Sequence, residues 1–208
     1  MKKLLLLVIL FAYSCQSDNH PQNANAEFEF LSYDISNQKG NAFFSNNLDK
    51  NKLIETIGEV NIADTTIWIE EGTVQVITTH IYPRTDKELI IYWDDNNKLK
   101  AILLNKPNSK WSAHGIKVGM SLDDVVKQNS TDFYFYSFGW DNGGYVYDWN
   151  HGTLTDSTNS FRVNLNLDWD KVSNQNIDKF MGDNTKLKSD NAELKKLGLS
   201  VYSILVNY

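Results

Sequence analysis

Apolar residues recur along the chain with two different periods, which predict short strands mixed with a few helices. A period of two gives 73–82 and 161–169 one apolar face each, as is typical of half-buried strands. Apolar residues three and four apart predict helices over 51–57 and from 122 onward. β-branched and aromatic runs between turn residues predict further strands at 28–33, 65–70, 88–93, 99–104, 133–140, 145–149 and 199–206.

Both helices have capping residues at their predicted ends. Asp49 precedes the first helix, where its carboxylate can accept hydrogen bonds from the first turn, and Gly58 follows that helix. Ser121 precedes the second helix, and Asp124 stands three residues later, at the spacing of a capping box. These signals set the helix boundaries more closely than the apolar spacing does.

A shift of 72 residues aligns the first half of the chain with the second without a gap. The aligned pairs are Leu53 with Val125, Ile54 with Val126, Trp68 with Trp140, Gly72 with Gly144, Val74 with Val146, Leu89 with Phe161, Ile91 with Val163 and Trp93 with Leu165. In each half a helix precedes a Trp-containing strand, a glycine turn, a second strand and a third strand. Agreement in element order as well as in residues favours a duplication; chance agreement between common strand residues is the alternative.

The sequence therefore predicts an α+β fold of two tandem helix-plus-antiparallel-sheet repeats, which span 28–108 and 109–208. The second repeat has a helical insertion that the first repeat does not have. A helix is predicted there over 190–197 with Asp190 as its cap, together with a shorter helical segment over 177–181.

The first fifteen residues have the pattern of a targeting segment. Lys2 and Lys3 precede the apolar run 4–12, which is too short to span a bilayer and is typical of a signal peptide. Cys15 is the only cysteine of the chain, so an internal disulfide is excluded. A cysteine directly after such a run resembles the lipidation signal of bacterial lipoproteins; an ordinary signal peptide is the alternative.

That resemblance implies that Cys15 becomes the mature N-terminus and carries acyl chains, which anchor the protein to a membrane. The expected location is the cell envelope, at the outer membrane or the periplasmic face of the inner membrane. Residues 16–27 are polar and are expected to form a flexible tether between the anchor and the folded part.

Composition excludes some classes of function. The net charge is −6 and there is no basic stripe, which argues against binding to nucleic-acid phosphates. The four histidines, at 20, 80, 114 and 151, are scattered, so no metal site is predicted. No serine stands in a Gly-x-Ser-x-Gly turn, and neither a cofactor nor enzymatic activity is expected.

An aromatic hairpin at 133–149 is the most distinctive feature of the sequence, and its part at 138–149 is the predicted binding surface. Alternation places Tyr145, Tyr147 and Trp149 on one face of its second strand, and exposed aromatic faces bind proteins or stack on sugars. Cross-strand aromatic pairing that only stabilises the sheet is the alternative. The candidate binding residues are Trp140, Asp141, Tyr145, Tyr147 and Trp149.

Two carboxylates in this hairpin also permit a hydrolase hypothesis. Asp141 and Asp148 flank the glycine turn, and paired carboxylates carry out glycoside hydrolysis. The simpler interpretation is that Asp141 belongs to the turn and that Asp148 is a solvated strand residue.

Residues 115–126 resemble the helix-opening segment of proteins built like beta-lactamase inhibitor protein and of small outer-membrane assembly lipoproteins. The residues that match are Gly115, Gly119, Met120, Ser121, Asp124 and Val125. Over 110–154 the chain also resembles a group of lipoproteins from Bacteroidetes-type bacteria, through Trp111, Gly115, Ile116, Lys117, Gly119, Gly139, Trp140, Asp141, Gly143, Gly144, Trp149, Gly152 and Leu154. These resemblances imply a fold and an envelope location, but no mechanism.

The sequence thus predicts an envelope-anchored lipoprotein that acts as a non-enzymatic binding module for a protein or a glycan. By fold analogy, the alternative is an inhibitor or assembly factor for an envelope protein. A hydrolase is the third hypothesis.

Overall fold

Antiparallel strands with two main helices make up the part of the chain that the computed structural model describes, and the predicted α+β class is confirmed. The described residues are 28–36, 42–69, 72–156, 158, 160–172, 177–183 and 185–208. The predicted signal peptide with Cys15 and the predicted tether 16–27 lie outside these ranges.

The described part of the first half contains one α-helix and four strands. They are α1 (Lys50–Ile57), β1 (Ile62–Ile69), β2 (Val74–Ile81), β3 (Leu89–Trp93) and β4 (Leu99–Leu104). The second half contains α2 (Leu122–Asn129), β5 (Tyr134–Tyr136), β6 (Val146–Asp148), β7 (Phe161–Asn166), the single turn α3 (Trp169–Val172), β8 (Lys186–Lys188) and β9 (Ser200–Asn207).

The strands form two sheets. Six of them follow the order β1-β2-β3-β4-β9-β7, and the other three follow the order β6-β5-β8. The two sheets meet where the Leu165 amide donates a hydrogen bond of 2.9 Å to the Gly144 carbonyl, next to a bridge between Tyr145 and Asn164. The first half is therefore a simple meander, and its last strand pairs with the last strand of the chain.

One face of the six-stranded sheet is buried with the inward residues of both helices. Alternate strand residues such as Ile91 and Val163 are fully buried, and they belong to the same apolar cluster as Leu53 of α1 and Val125 of α2. Burying each such side chain stabilises the fold by roughly 1.5–3 kcal/mol. On the opposite face of the sheet, residues such as Leu103 keep part of their surface open to solvent.

Several predicted boundaries are wrong. The segment 28–33 is not a strand; Phe30 instead packs its ring 4.8 Å from that of Trp111 in the core. The predicted helix 190–197 is reduced to a 3₁₀ turn at Leu194–Leu197, and Asn191 rather than Asp190 accepts hydrogen bonds from its first amides. The strand β8 was not predicted, because three residues with a single apolar side chain give no period.

Within the described ranges, no helix has the length and apolar character needed to cross a membrane.

Candidate functional site

The aromatic hairpin divides its rings between the core and the surface. Phe133 and Phe135 are fully buried, whereas Tyr134 and Tyr136 on the other face are partly exposed, as alternation predicts. Strict alternation along 133–140 would place Phe138 on the face of the tyrosines, but Phe138 is buried. Alternation stops there because β5 ends at Tyr136 and the next two amides donate hydrogen bonds to the carbonyls of Thr185 and Phe180.

Four aromatic side chains form a partly exposed cluster on the open face of the hairpin. The Tyr136 ring lies 4.7 Å from that of Tyr147 and 5.4 Å from that of Trp140, between centroids. Tyr134 lies 6.4 Å from Tyr147, and the Lys186 ammonium lies 5.0 Å from the centroid of the Tyr147 ring. These contacts hold Tyr147, which is 36% exposed, in a fixed orientation on the surface.

Trp149 does not share the exposed face of Tyr147. It is 8% exposed and stacks on Phe161 at 5.9 Å, with 16° between the ring planes. The predicted alternation fails because β6 ends at Asp148, whose carboxylate accepts a hydrogen bond from the Asn150 amide and turns the chain. Trp149 is therefore part of the core, although it also lines a cavity beside β6.

A cavity of about 590 Å³ lies between β6, the loop 150–160 and β7; it is called the cleft below. Its aromatic lining consists of Tyr136, Tyr145, Tyr147, Trp149 and Phe161. Its polar lining consists of Asp141, Asn142, Asp148, Thr155, Asp156 and Arg162. Four of the five predicted binding residues therefore line one cavity; the fifth, Trp140, contacts it through Tyr136.

Three polar side chains of the cleft are free to bind a ligand. Among the described residues, Asp141, Asn142 and Arg162 have no side-chain hydrogen bond or ion pair, and all three are exposed. The turn that carries Asp141 is instead held by its backbone: the Gly143 amide donates to the Trp140 carbonyl at 2.9 Å.

Asp156 has a different role, because its carboxylate fixes the loop that forms one wall. It accepts hydrogen bonds from the amides and hydroxyls of Thr158 and Ser160 and from the Phe161 amide, at 2.6–3.1 Å. Partial burial raises the pKa of Asp156, but the hydrogen bonds outweigh this effect and hold the pKa well below its ordinary value. Asp156 is therefore a charged anchor and not a proton donor near neutral pH.

A smaller cavity of about 300 Å³ lies on the open face of the six-stranded sheet, where β4 meets β9. It is lined by Tyr92, Lys100, Ala101, Leu103, Tyr145, Leu205 and Asn207. Tyr145 lines both cavities. The pKa of Tyr92 is raised, mainly by burial and to a smaller extent by the nearby Tyr145. The hairpin thus connects the cleft to the open sheet face.

Sequence reasoning missed the half of the cleft that comes from other segments. Thr155, Asp156, Phe161 and Arg162 lie beyond the hairpin, and only the pairing of β7 beside the glycine turn brings them to it. Across the described ranges, no group of three or more His, Cys, Asp and Glu side chains is placed to hold a metal ion.

Comparison of the chain with protein-family models, curated proteins and solved structures found no match.

Proposed function

We propose that this protein is an envelope-anchored, non-enzymatic binding module whose cleft binds a glycan. The supporting observation is the combination of an exposed, fixed tyrosine with three unpartnered polar side chains around one cavity of about 590 Å³. The anchor at Cys15 and the tether 16–27 rest on the sequence pattern alone.

The chemistry of the cleft suits a sugar. A pyranose has an apolar C–H face that packs on an aromatic ring, as Tyr147 offers. Its hydroxyls need hydrogen-bond partners of both kinds, and Asp141 accepts, Arg162 donates and Asn142 does both. The cavity falls within the range of roughly 300–1,000 Å³ that is common for small-ligand sites.

We also infer that the fold is a tandem duplication, as the beta-lactamase-inhibitor-protein-like resemblance implies. Four elements of the second half begin 72 residues after their counterparts: α2 after α1, β5 after β1, β6 after β2, and β7 after β3. Hydrogen bonds correspond as well. The Leu99 amide donates to the Leu48 carbonyl, and the Val201 amide donates to the Met120 carbonyl.

The junction of the halves supports the same inference. β4 and β9 are the last strands of their halves, and they pair antiparallel with Leu103 opposite Leu205. Leu103 lies four residues after Leu99, and Leu205 lies four residues after Val201, so equivalent residues face each other. In a tandem duplication, this pairing would place an approximate two-fold axis between the proposed repeats, 28–108 and 109–208.

An inhibitor or assembly factor for an envelope protein is the second candidate function. It is favoured by the open sheet face around the smaller cavity, where Tyr92, Leu103 and Leu205 line a depression without a covering helix among the described residues. A hydrolase using Asp141 and Asp148 ranks below both candidates.

Titration calorimetry with bacterial envelope oligosaccharides tests the glycan proposal. We expect Tyr147→Ala and Arg162→Ala to weaken binding at least tenfold. Tyr202→Ala is the matched control, because Tyr202 is 57% exposed on β9 and lines neither cavity. The cleft is ruled out as the glycan site if Tyr147→Ala and Arg162→Ala leave the affinity unchanged. It is also ruled out if Tyr202→Ala weakens binding by the same factor as these two variants.

A further inference from the structure

The two hairpins differ in what pairs with their outer edge. In the second half, β8 pairs antiparallel with β5 and places Leu187 opposite Phe135. In the first half, β1 is the outermost strand of its sheet, and no described strand pairs with its outer edge. Since β1 and β5 begin at equivalent positions, residues 62–64 of β1 correspond to the three residues of β5 that β8 covers.

The free edge of β1 has little of the usual protection against pairing, because Asp64 is the one charged residue of this strand. It is eight residues long and contains neither proline nor lysine, which natural edge strands use to prevent association. Its hairpin also extends past β3, which pairs only with 78–81 of β2. In this extension, Trp68 is 61% exposed and Ile77 is 58% exposed.

We propose that the outer edge of β1 binds an extended, basic strand of a partner protein with alternating apolar residues. The backbone groups on this edge would form the ladder, and Trp68 would cover an apolar side chain of the incoming strand. In sequence, residues 59–71 contain four carboxylates and no lysine or arginine, and this excess of negative charge favours a basic strand. Of the described carboxylates there, Asp64 pairs with Lys50 at 2.6 Å.

The β8 strand provides a template for the backbone pairing of this partner and for its buried apolar residue. Its sequence is Lys-Leu-Lys: Leu187 is buried, Lys186 lies over the Tyr147 ring, and Lys188 pairs with Asp132 at 3.7 Å. A second copy of this chain fits less well, because antiparallel β1–β1 pairing brings acidic segments together. The strand site is independent of the ligand in the cleft.

Amide hydrogen exchange on the full chain in detergent micelles tests the proposal. The probe is a capped synthetic peptide, Thr-Lys-Leu-Lys-Val-Lys-Leu-Thr, and the matched probe has Glu in place of each Lys. We expect the basic peptide to slow exchange across 62–69 and to bind at least tenfold more tightly than the acidic one. We expect exchange across β5 to stay unchanged, because β8 already covers its edge.

Trp68→Lys should weaken binding of the basic peptide at least tenfold. Trp169→Lys is the control and should stay within twofold, because Trp169 is 50% exposed but lies outside the hairpin. The substituted Trp68 side chain is mostly exposed, so the variant should fold. Equal affinity for both peptides, or no slowing at 62–69, overturns the proposal. Concentration-dependent protection of β1 without peptide also overturns it, in favour of a second copy.

Discussion

The β1–β2 hairpin and the β5–β6 hairpin begin 72 residues apart in sequence but have opposite surroundings. The first is long, and both its strands expose apolar side chains; the second is short and is enclosed by β8 and β7. Trp68 and Trp140 are aligned in sequence, yet Trp68 is solvent-exposed, whereas Trp140 packs on Tyr136 and donates its indole N–H to the Ser137 carbonyl at 2.8 Å.

The difference shows that nearby residues in the sequence determine where each hairpin forms. Segments distant in sequence determine which of its surfaces stay exposed and available for binding. Strand starts and glycine turns agree between the halves. Residues 186–188 of the second half form β8, which pairs with the outer edge of β5 and places Leu187 opposite Phe135, while the tyrosine face borders the cleft. Among the described residues, no strand pairs with the outer edge of β1 in the first half.

The largest expected effect separates the enclosed hairpin from the open one. Phe135→Ala should lower the free energy of unfolding by roughly 3–5 kcal/mol, because it removes a fully buried ring between β6 and β8. Trp68→Ala should change it by about 0.5 kcal/mol or less, because the ring is mostly in solvent. Urea denaturation measures both values, and similar losses in the two variants would contradict the contrast.

Sequence periods were sufficient for elements whose neighbours are also neighbours in sequence. The meander from β1 to β4 and both main helices follow from alternation, helical spacing and the caps at Asp49 and Ser121. The pairing of β4 with β9 has no local signal, because it joins strands about a hundred residues apart. The strand β8 was not predicted for the same reason, because residues 186–188 form a strand only by pairing with β5, which is distant in sequence.

The candidate site was predictable only as far as the hairpin itself. Asp141, Tyr145 and Tyr147 were found because aromatic and turn residues cluster there in sequence. The burial of Trp149 depends on where β6 ends and on the ring of Phe161, which comes from another strand. Arg162 reads in sequence as an ordinary exposed strand residue, and only the folded arrangement brings it to the cleft.

The glycines in the turns of the two hairpins allow a second comparison of how tightly each turn is packed. Gly72 and Gly144 have φ angles of +82° and +80°, so alanine is strained at both positions by about 1–2 kcal/mol. A Cβ at Gly144 would lie 1.8 Å from the Leu165 carbonyl oxygen, whereas none of the described atoms lies within 4 Å of one at Gly72. Gly144→Ala should therefore cost roughly 3 kcal/mol and Gly72→Ala about 1 kcal/mol in thermal or urea unfolding. Equal losses of stability in the two variants would indicate that the backbone contact between Gly144 and Leu165 can adjust without a large loss of free energy.

One carboxylate fixes the loop before β3 and another fixes the loop before β7. They belong to Glu88 and Asp156, and acid unfolding tests how much each contributes to stability. Burial raises the pKa of Glu88, but hydrogen bonds from Lys106, His80 and the Arg84 amide lower it to about 2, from an ordinary value of 4.5. Because the folded pKa is depressed, this stabilisation is present above pH 4.5 and is lost as pH falls towards 2. The same sign holds for Asp156, whose pKa is also lowered.

Glu88→Gln should therefore remove roughly 2 kcal/mol at pH 7 and flatten the dependence of stability on pH between 2 and 4.5. Lys106→Met should reduce the slope without abolishing it, because the other two donors remain. Denaturation midpoints measured across this pH range distinguish the variants. An unchanged slope in Glu88→Gln would show that the loop before β3 does not depend on this carboxylate.

The smallest expected effect concerns a feature that both halves share. The Ser121 hydroxyl accepts a hydrogen bond from the Asp124 amide at 3.2 Å and caps α2, as the Asp49 carboxylate caps α1. Ser121→Ala should lower stability by about 1 kcal/mol, because one amide at the helix start loses its partner. Ser121→Thr should preserve most of it, since its hydroxyl can accept the same bond. If alanine is as stable as threonine in urea unfolding, packing of Leu122 and Val125 alone sets this helix start, and the correspondence of the two caps has no energetic consequence.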